Sequence, residues 1–208
     1  MRALLVGNGE KISDRLLKQL AKDADILAAA DGGAVQLLRA GLVPDVVIGD
    51  LDSLPASLQR TLVHALVPCK TQQNNDLEKA LSYLAKKGIT SCALAGFAGG
   101  RVDFTFGNFL LLARMAKKMN LTLVGETWQL YALCKSRSFT CKKGVRASLL
   151  PLTRCSGVSL EGFVYSLKNA TLPVGTTRTL SNQIKATRVR VSLRRGVLGF
   201  YLETNPQK

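Results

Sequence analysis

The chain has 208 residues, 47% of them hydrophobic, which is enough for one large domain or two small ones. No apolar run approaches the ~20 residues that a membrane-spanning helix needs, and the apolar start of the chain is too short for a signal peptide. The formal net charge is +15, so a nucleic-acid partner has to be considered. Five cysteines without a CxxC pair argue against a disulfide framework and against a zinc site. We therefore expect a cytoplasmic protein that does not act at a membrane.

The first part of the chain alternates short apolar strands with amphipathic helices. Strands are predicted at residues 2–7, 25–30, 46–48, 91–95 and 121–124. Helices are predicted at residues 13–23, 34–40, 76–87 and 108–119. Strands and helices that alternate at these lengths predict a parallel sheet covered on both faces.

After about residue 126 the pattern changes to short β-like stretches separated by turn-forming residues. Strands are predicted at residues 129–134, 146–150, 162–167, 185–193 and 197–203. Within the fourth of these, Val and Leu alternate with Arg, which is typical of an antiparallel strand with one wet face. The sequence therefore predicts an α/β parallel-sheet domain over residues 1–125 and an all-β antiparallel domain over residues 126–208.

The positive charge is distributed unevenly between the two halves. Residues 1–110 carry 12 Lys and Arg against 11 Asp and Glu, whereas residues 111–208 carry 17 against 3, a net charge of +14. Three interpretations remain open, namely nucleic-acid binding, a basic wall facing a phosphorylated substrate, or the solvated outer faces of strands. The basic residues are dispersed and aromatic residues that could stack on bases are sparse, so nucleic-acid binding is not favoured.

Four segments rich in glycine and acidic residues follow predicted strands. Because ligands bind outside the carboxyl ends of the strands in an open parallel sheet, these segments are expected to meet along one edge. They are Asp31-Gly32-Gly33, Asp50-Leu51-Asp52, Asp76 with Lys79, and Gly99-Gly100-Arg101.

Each segment has a chemical interpretation and a simpler structural one. Asp50 and Asp52 can place two oxygen ligands near one Mg²⁺, or they can form a plain acidic turn. The glycines permit close backbone approach to a nucleotide, and Arg101 can bind a phosphate as a fork or form a surface ion pair. Asp76 or Asn75 can be a helix N-cap, and Lys79 can be a solvated helix residue. Each segment alone is a weak signal.

Taken together, the segments are a specific signal. The sequences DGGA, PDVVIGDLDS, NNDLEKAL, GGRVDFTFGN and, late in the chain, TLSN resemble the thiamin pyrophosphokinase family in order and wording. The resemblance spans residues 31–182. It implies an α/β nucleotide domain followed by a β-sandwich domain that binds thiamin, in a homodimer whose active sites lie between subunits. It also implies transfer of pyrophosphate from ATP to the hydroxyl of thiamin, with Mg²⁺ as cofactor.

The resemblance also implies a role for each matching residue. Metal binding is expected for Asp50, Asp52 and Asp76. A catalytic role is expected for Asp76, Lys79, Arg101 and Asp103. ATP binding is expected for Asp31, Gly32, Gly33, Asp50, Arg101 and Asn108. Thiamin binding is expected for Asp103, Ser181 and Asn182.

Three residues depart from the family pattern. Gln73 stands where the family has an acid, Asn75 where it has Thr, and Phe104 where it has His after Asp103. The first change removes one carboxylate from the expected metal cluster, so metal affinity should fall. The departures leave open a related diphosphokinase that uses a pterin-like alcohol, and a relative kept only for thiamin binding.

Overall fold

The computed structural model describes residues 1–71 and 73–204, which form two compact units. The first unit contains Met1–Leu111 and Leu123–Glu126, and the second contains Leu112–Thr122 and the described residues from Thr127 onward. No helix among the described residues is long and apolar enough to cross a membrane. All five cysteines are free thiols. The assignment of residues 1–125 and 126–208 to ATP binding and thiamin binding stays a prediction.

The first unit is built on five strands that pair in parallel, in the order β4-β3-β2-β1-β5. These strands are β1 (Arg2–Val6), β2 (Ile26–Ala30), β3 (Val46–Gly49), β4 (Leu66–Pro68) and β5 (Ser91–Ala95). Both faces of the central strands are buried, as expected for near-continuous apolar strands in a parallel sheet. Parallel pairing brings the carboxyl ends of all five strands to the same edge.

Among the described residues, four helices and one 3₁₀ turn connect these strands, and a fifth helix follows β5. They are α1 (Asp14–Ala21), α2 (Gly33–Arg39), α3 (Ala56–Thr61), the 3₁₀ turn Val63–Ala65, α4 (Asp76–Lys86) and α5 (Val102–Met115). Leu17 of α1 and Leu37 of α2 share one buried cluster with Leu4 and Val6 of β1, so these two helices cover the same face of the sheet. The predicted start of the last helix at residue 108 is wrong, because Gly99 and Gly100 turn the chain at positive φ and the helix begins at Val102.

The second unit contains two antiparallel sheets. The strands from residue 120 onward are β6 (Asn120–Val124), β7 (Trp128–Leu133), β8 (Arg137–Thr140), β9 (Arg146–Pro151), β10 (Cys155–Glu161), β11 (Leu167–Leu172), β12 (Asn182–Gln183), β13 (Arg188–Ser192) and β14 (Leu198–Glu203). One sheet contains β12-β9-β14-β7, and the other has the order β11-β10-β13-β8. Leu149 and Phe200 of the first sheet lie in one buried cluster with Leu160 and Val191 of the second, so the two sheets share a core.

Most predicted elements are present, and strands alternating with helices followed by a separate antiparallel region are confirmed. The predicted strand at residues 162–167 is wrong, because Gly162 has a φ of 82° and this stretch connects β10 to β11. The wet face predicted around residue 190 is confirmed. Val189 and Val191 are buried, whereas Arg188 and Arg190 between antiparallel neighbours are exposed. Arg188 and Arg190 therefore place part of the second unit's positive charge on an outer strand face.

Candidate active site

A cavity of about 540 Å³ opens at the carboxyl ends of β1, β2 and β5. This volume is in the range of small-ligand sites. Its lining includes Gly7, Asn8, Gly9, Asp31, Ser53, Asn75, Asp76, Gly99, Gly100, Arg101, Phe104 and Asn108. Three of the four segments singled out in the sequence therefore line one cavity, and Ser53 directly follows the remaining one.

Asp31 lies at the end of β2 in an unusual environment. The residue is buried, has a φ of 45°, and its Oδ1 atom finds no hydrogen-bond partner among the described residues. The backbone at Gly33 lies close to the end of β1, because a Cβ on Gly33 would be only 2.0 Å from the carbonyl oxygen of Val6. A strained backbone and an unpaired buried acceptor are both costly, and strained residues cluster at active sites and ligand-binding sites.

The turn after β3 carries the two predicted metal ligands Asp50 and Asp52. Leu51 between them is buried and has a φ of 69°, a conformation that costs a non-glycine residue of the order of 1 kcal/mol. The backbone N–H of Asp52 donates to Oδ1 of Asp50 at 3.4 Å. The Asp52 side chain is exposed, so the turn presents the two carboxylates in different surroundings.

The first turn of α4 brings Asp76 and Lys79 together. Asn75 caps the helix, since its side chain accepts a hydrogen bond of 2.9 Å from the backbone N–H of Glu78. Helical side chains lean toward the N-terminus, so Lys79 reaches back to Asp76, with Nζ 3.0 Å from Oδ1. The same ammonium lies 3.6 Å from Oδ2 of Asp50. Replacement of the family's Thr by Asn75 therefore keeps a side chain that caps the helix.

Lys79 is a buried cation, with 3% of its side chain exposed. Burial by itself lowers the pKa of the ammonium. The hydrogen bond to Asp76 and the charges of Asp76 and Asp50 outweigh that effect, so the pKa lies above its ordinary value. The interpretation of Lys79 as a solvated helix residue is wrong.

Arg101 precedes α5 and is paired with Asp103. Its Nε and Nη2 atoms donate to the two carboxylate oxygens at 3.2 and 2.6 Å, and its guanidinium stacks on the Phe104 ring at 4.3 Å from the centroid. The hydrogen bond from Arg101 lowers the pKa of the Asp103 carboxyl. The Arg101 side chain is 72% exposed, so a bound phosphate can reach it. Phe104 thus supports the arginine instead of leaving a gap where the family has His.

Asn108 is buried beneath the cavity and ties two of its loops together. Its Nδ2 donates to the carbonyl of Phe97 at 2.8 Å, and its Oδ1 accepts from Asn75 at 3.3 Å. The amide is therefore engaged within the protein, and its predicted role in ATP binding stays a prediction.

Sequence reasoning missed the loop Gly7-Asn8-Gly9 and the residue that holds it. Gln36 of α2 is buried, and its Nε2 donates to the carbonyls of Gly7 and Glu10 at 2.8 and 3.2 Å while its Oε1 accepts from the Ile12 backbone N–H. The signal for the loop was present, since Gly-Asn-Gly follows the first strand at the ligand-binding edge. Nothing local in the sequence marks Gln36.

Ser181 and Asn182, predicted to bind thiamin, lie in the second unit. The Asn182 side chain is buried and fully engaged, since its Nδ2 donates to the Tyr165 carbonyl and its Oδ1 accepts from the backbone N–H groups of Tyr165 and Gln183. Ser181 is exposed with a φ of 54°. Their role toward a substrate stays a prediction.

Binding of the implied Mg²⁺ would depend on the carboxylates of this site. Within residues 1–71 and 73–204, no three His, Cys, Asp or Glu side chains form a ready-made metal group. Asp50 and Asp76 nevertheless converge on one ammonium, each within 4 Å of Lys79 Nζ. Mg²⁺ typically takes one or two carboxylates and completes its shell with water and phosphate oxygens. Asp50 and Asp76 are therefore suited to such an ion, and the metal roles predicted for Asp50, Asp52 and Asp76 stay predictions.

Glycine loops at the edge of a parallel sheet, converging carboxylates and an accessible arginine define a class of α/β protein that can hold a phosphate group beside a cation. The particular family follows from comparison. The profile of the thiamin pyrophosphokinase catalytic domain matches residues 17–124, and that of the thiamin pyrophosphokinase vitamin B1 binding domain matches residues 136–198. The chain belongs to the thiamin pyrophosphokinase family.

Individual relatives agree with this family. A thiamine pyrophosphokinase of Bacillus subtilis (strain 168) is 27% identical over 177 residues, covering 81% of this chain and 82% of the relative. A crystal structure of thiamine pyrophosphokinase from Bacillus subtilis has a TM-score of 0.86 at 24% identity, covering 99% of this chain and 100% of that one. The enzyme from Geobacillus thermodenitrificans has a TM-score of 0.83 at 26% identity, covering 100% and 99% of the two chains. These matches give no support to a pterin-like acceptor or to nucleic-acid binding.

Proposed function

We propose that this chain transfers pyrophosphate from ATP to the hydroxyl of thiamin, giving thiamin diphosphate and AMP. The observation that carries the proposal is the convergence of Asp50 and Asp76 beside a cavity lined by glycine loops and Arg101. Such an arrangement suits phosphoryl transfer, in which catalysis is mostly positioning and electrostatic stabilisation. The absence of a strong protein nucleophile among the predicted site residues is therefore no obstacle.

The reaction is a displacement at phosphorus. The thiamin hydroxyl oxygen forms a bond to the β-phosphorus, and the bond from that phosphorus to the bridging oxygen of the α-phosphate breaks, so AMP leaves. Bound Mg²⁺ would neutralise phosphoryl oxygens. Asp50 and Asp76 would hold the ion, and the glycine backbone and Arg101 would orient the triphosphate.

A carboxylate is the natural acceptor for the hydroxyl proton. Arg101 lowers the pKa of the Asp103 carboxyl, which makes Asp103 a weaker base. We propose that Asp103 chiefly orients Arg101. Asp76 is paired with Lys79 and would hold the ion, so it is a weak base as well, and the proton passes to water.

The remaining predictions concern the assembly. We propose a homodimer in the cytoplasm, in which Ser181 and Asn182 of one subunit serve a site formed with the other. Free thiols at all five cysteines agree with a reducing compartment. Mixing two inactive variants, one changed at Asp76 and one at Ser181, should restore part of the activity if sites combine two subunits. Absence of any restoration in mixed dimers would refute the shared site.

The first experiment is a mass-spectrometric endpoint assay with purified protein, Mg²⁺, ATP and thiamin. AMP and thiamin diphosphate should appear in equal amounts. Intact ATP, or ADP in place of AMP, would refute the proposed reaction.

Variants test which carboxylates act in the site. Asp50→Asn and Asp76→Asn should each lower turnover by about 10²–10³-fold, because each removes a carboxylate that would hold the cation, and each should also lower stability, because the buried Lys79 ammonium loses a charged partner. Asp52→Asn tests the predicted ligand that does not contact Lys79. Full activity of Asp52→Asn would remove Asp52 from the metal site. Asp23→Asn, at an exposed position, is the matched control and should have wild-type activity.

A further inference from the structure

Lys79 lies against two of the carboxylates to which the family resemblance gives a metal-binding role. Its Nζ lies 3.0 Å from Asp76 and 3.6 Å from Asp50, the two carboxylates that fit Mg²⁺. Asp76 and Asp50 retain 40% and 24% of their side-chain exposure, whereas Lys79 retains 3%. The carboxylates thus face both the buried ammonium and the solvent.

This arrangement has an electrostatic reason. Two carboxylates held close together repel each other, and an ammonium between them removes that repulsion when no metal is bound. Burying the ammonium is costly, and the cost is offset only because both partners are in place. A lysine is a compact point charge on a flexible stem, so it can leave this position without rearranging the helix that carries it.

We propose that Lys79 is an internal counter-ion that holds Asp50 and Asp76 in place in the ligand-free protein and competes with a divalent cation for them. This inference rests on the proposed function for its metal. A cation that binds both carboxylates lies within a few ångströms of the ammonium, so the two charges repel. ATP relieves this repulsion, since its phosphates can accept the displaced ammonium. The free protein therefore binds the cation weakly, and nucleotide and cation bind cooperatively.

Gln73 strengthens the argument for this chain. The acid that the family resemblance implies at that position is missing, so the metal cluster that the resemblance implies has one carboxylate fewer. The competition should accordingly have a large effect on metal affinity here.

The test measures Mn²⁺ binding to the full chain without nucleotide, by the loss of the free-ion electron paramagnetic resonance signal. Lys79→Gln should bind Mn²⁺ about tenfold more tightly or better than the wild type, because a positive charge next to the ion is removed. Addition of Mg²⁺ should also raise the unfolding temperature of this variant more than that of the wild type. Lys86→Gln, an exposed change on the same helix, should behave as the wild type.

Unchanged or weaker Mn²⁺ binding by Lys79→Gln would overturn the proposal. If the variant does not fold alone, refolding in Mg²⁺ should restore it, because the cation replaces the ammonium, and failure of Mg²⁺ to restore it would equally overturn the proposal. The measurement needs no turnover. If the wild type leaves ATP intact, the proposed function is refuted. If the wild type is active but Lys79→Gln binds Mn²⁺ with unchanged affinity, only the counter-ion role of Lys79 is refuted.

Discussion

The two units differ in where they keep their charge. The first is nearly neutral but buries polar side chains around a cavity, namely Asp31, Gln36, Lys79 and Asn108. The second carries most of the positive charge, yet Arg188 and Arg190 point outward from a sheet whose inner face is apolar. Charge count is therefore a poor guide to the chemical site. Buried polar groups mark it better, because each has to be compensated by a specific neighbour or a ligand.

The largest expected effect on stability is in the second unit's core. Phe200 is fully buried and lies 4.8 Å from Phe139 and 5.9 Å from Phe163 between ring centroids. Phe200→Ala should lower the free energy of unfolding by about 3–5 kcal/mol, since it leaves a cavity and removes aromatic contacts. Phe106→Ala, at a 62% exposed position, is the control and should change it little. Urea unfolding measures the free energy of unfolding of both variants. A small effect of Phe200→Ala would show that the stability of the second unit does not depend on the packing of this ring.

A buried thiol in each unit allows the two units to be compared by the pH dependence of their stability. Burial raises the pKa of Cys92 in β5 from 9.0 to about 12. The folded chain therefore keeps a proton that the unfolded chain loses, so this contribution to stability is complete below pH 9 and is lost as pH rises toward 12. The wild type should have a larger free energy of unfolding than Cys92→Ala below pH 9. Above pH 9 this difference should shrink by up to about 1.4 kcal/mol per pH unit, as long as the protein is still folded before denaturant is added.

Cys155 of the second unit is the matched position. Burial also raises the pKa of its thiol, so Cys155→Ala should show the same direction of change. Denaturant unfolding at several pH values between 8 and about 10.5 is the measurement, and it spans the ordinary thiol pKa. If the difference in the free energy of unfolding between wild type and Cys92→Ala is constant across this range, the Cys92 thiol is more accessible to water than its burial indicates.

The smallest expected effect concerns Phe104. Its ring supports the exposed guanidinium of Arg101, and a cation–π contact at an exposed site is a weak interaction. Phe104→Ala should therefore raise the KM for ATP by about twofold to fivefold with little change in kcat. Phe106→Ala on the same helix is the matched control in steady-state kinetics. An unchanged KM would show that the pairing with Asp103 alone positions Arg101.

The comparison also shows how far the sequence could predict the site. The acidic and glycine-rich segments were found because each follows a strand, and parallel strands share one ligand-binding edge. The hydrogen bonds of the Gln36 side chain were not predicted, since its partners Gly7 and Ile12 lie 29 and 24 residues away in the sequence. The strand predicted at residues 162–167 failed because β propensity does not reveal where a glycine at positive φ turns the chain.

The amino-acid sequence was enough to predict the alternation of strands and helices, the capped start of α4 and the solvent-exposed face of β13, and it carries the family motifs. All of these depend on neighbours a few residues apart, where periodicity and capping act. The three-dimensional arrangement was needed to find that Lys79 is buried between Asp50 and Asp76 and that Phe104 supports Arg101. It was also needed to find that one oxygen of Asp31 has no hydrogen-bond partner among the residues that the structure describes. Burial and charge pairing depend on which distant segments meet, and strand order sets those meetings.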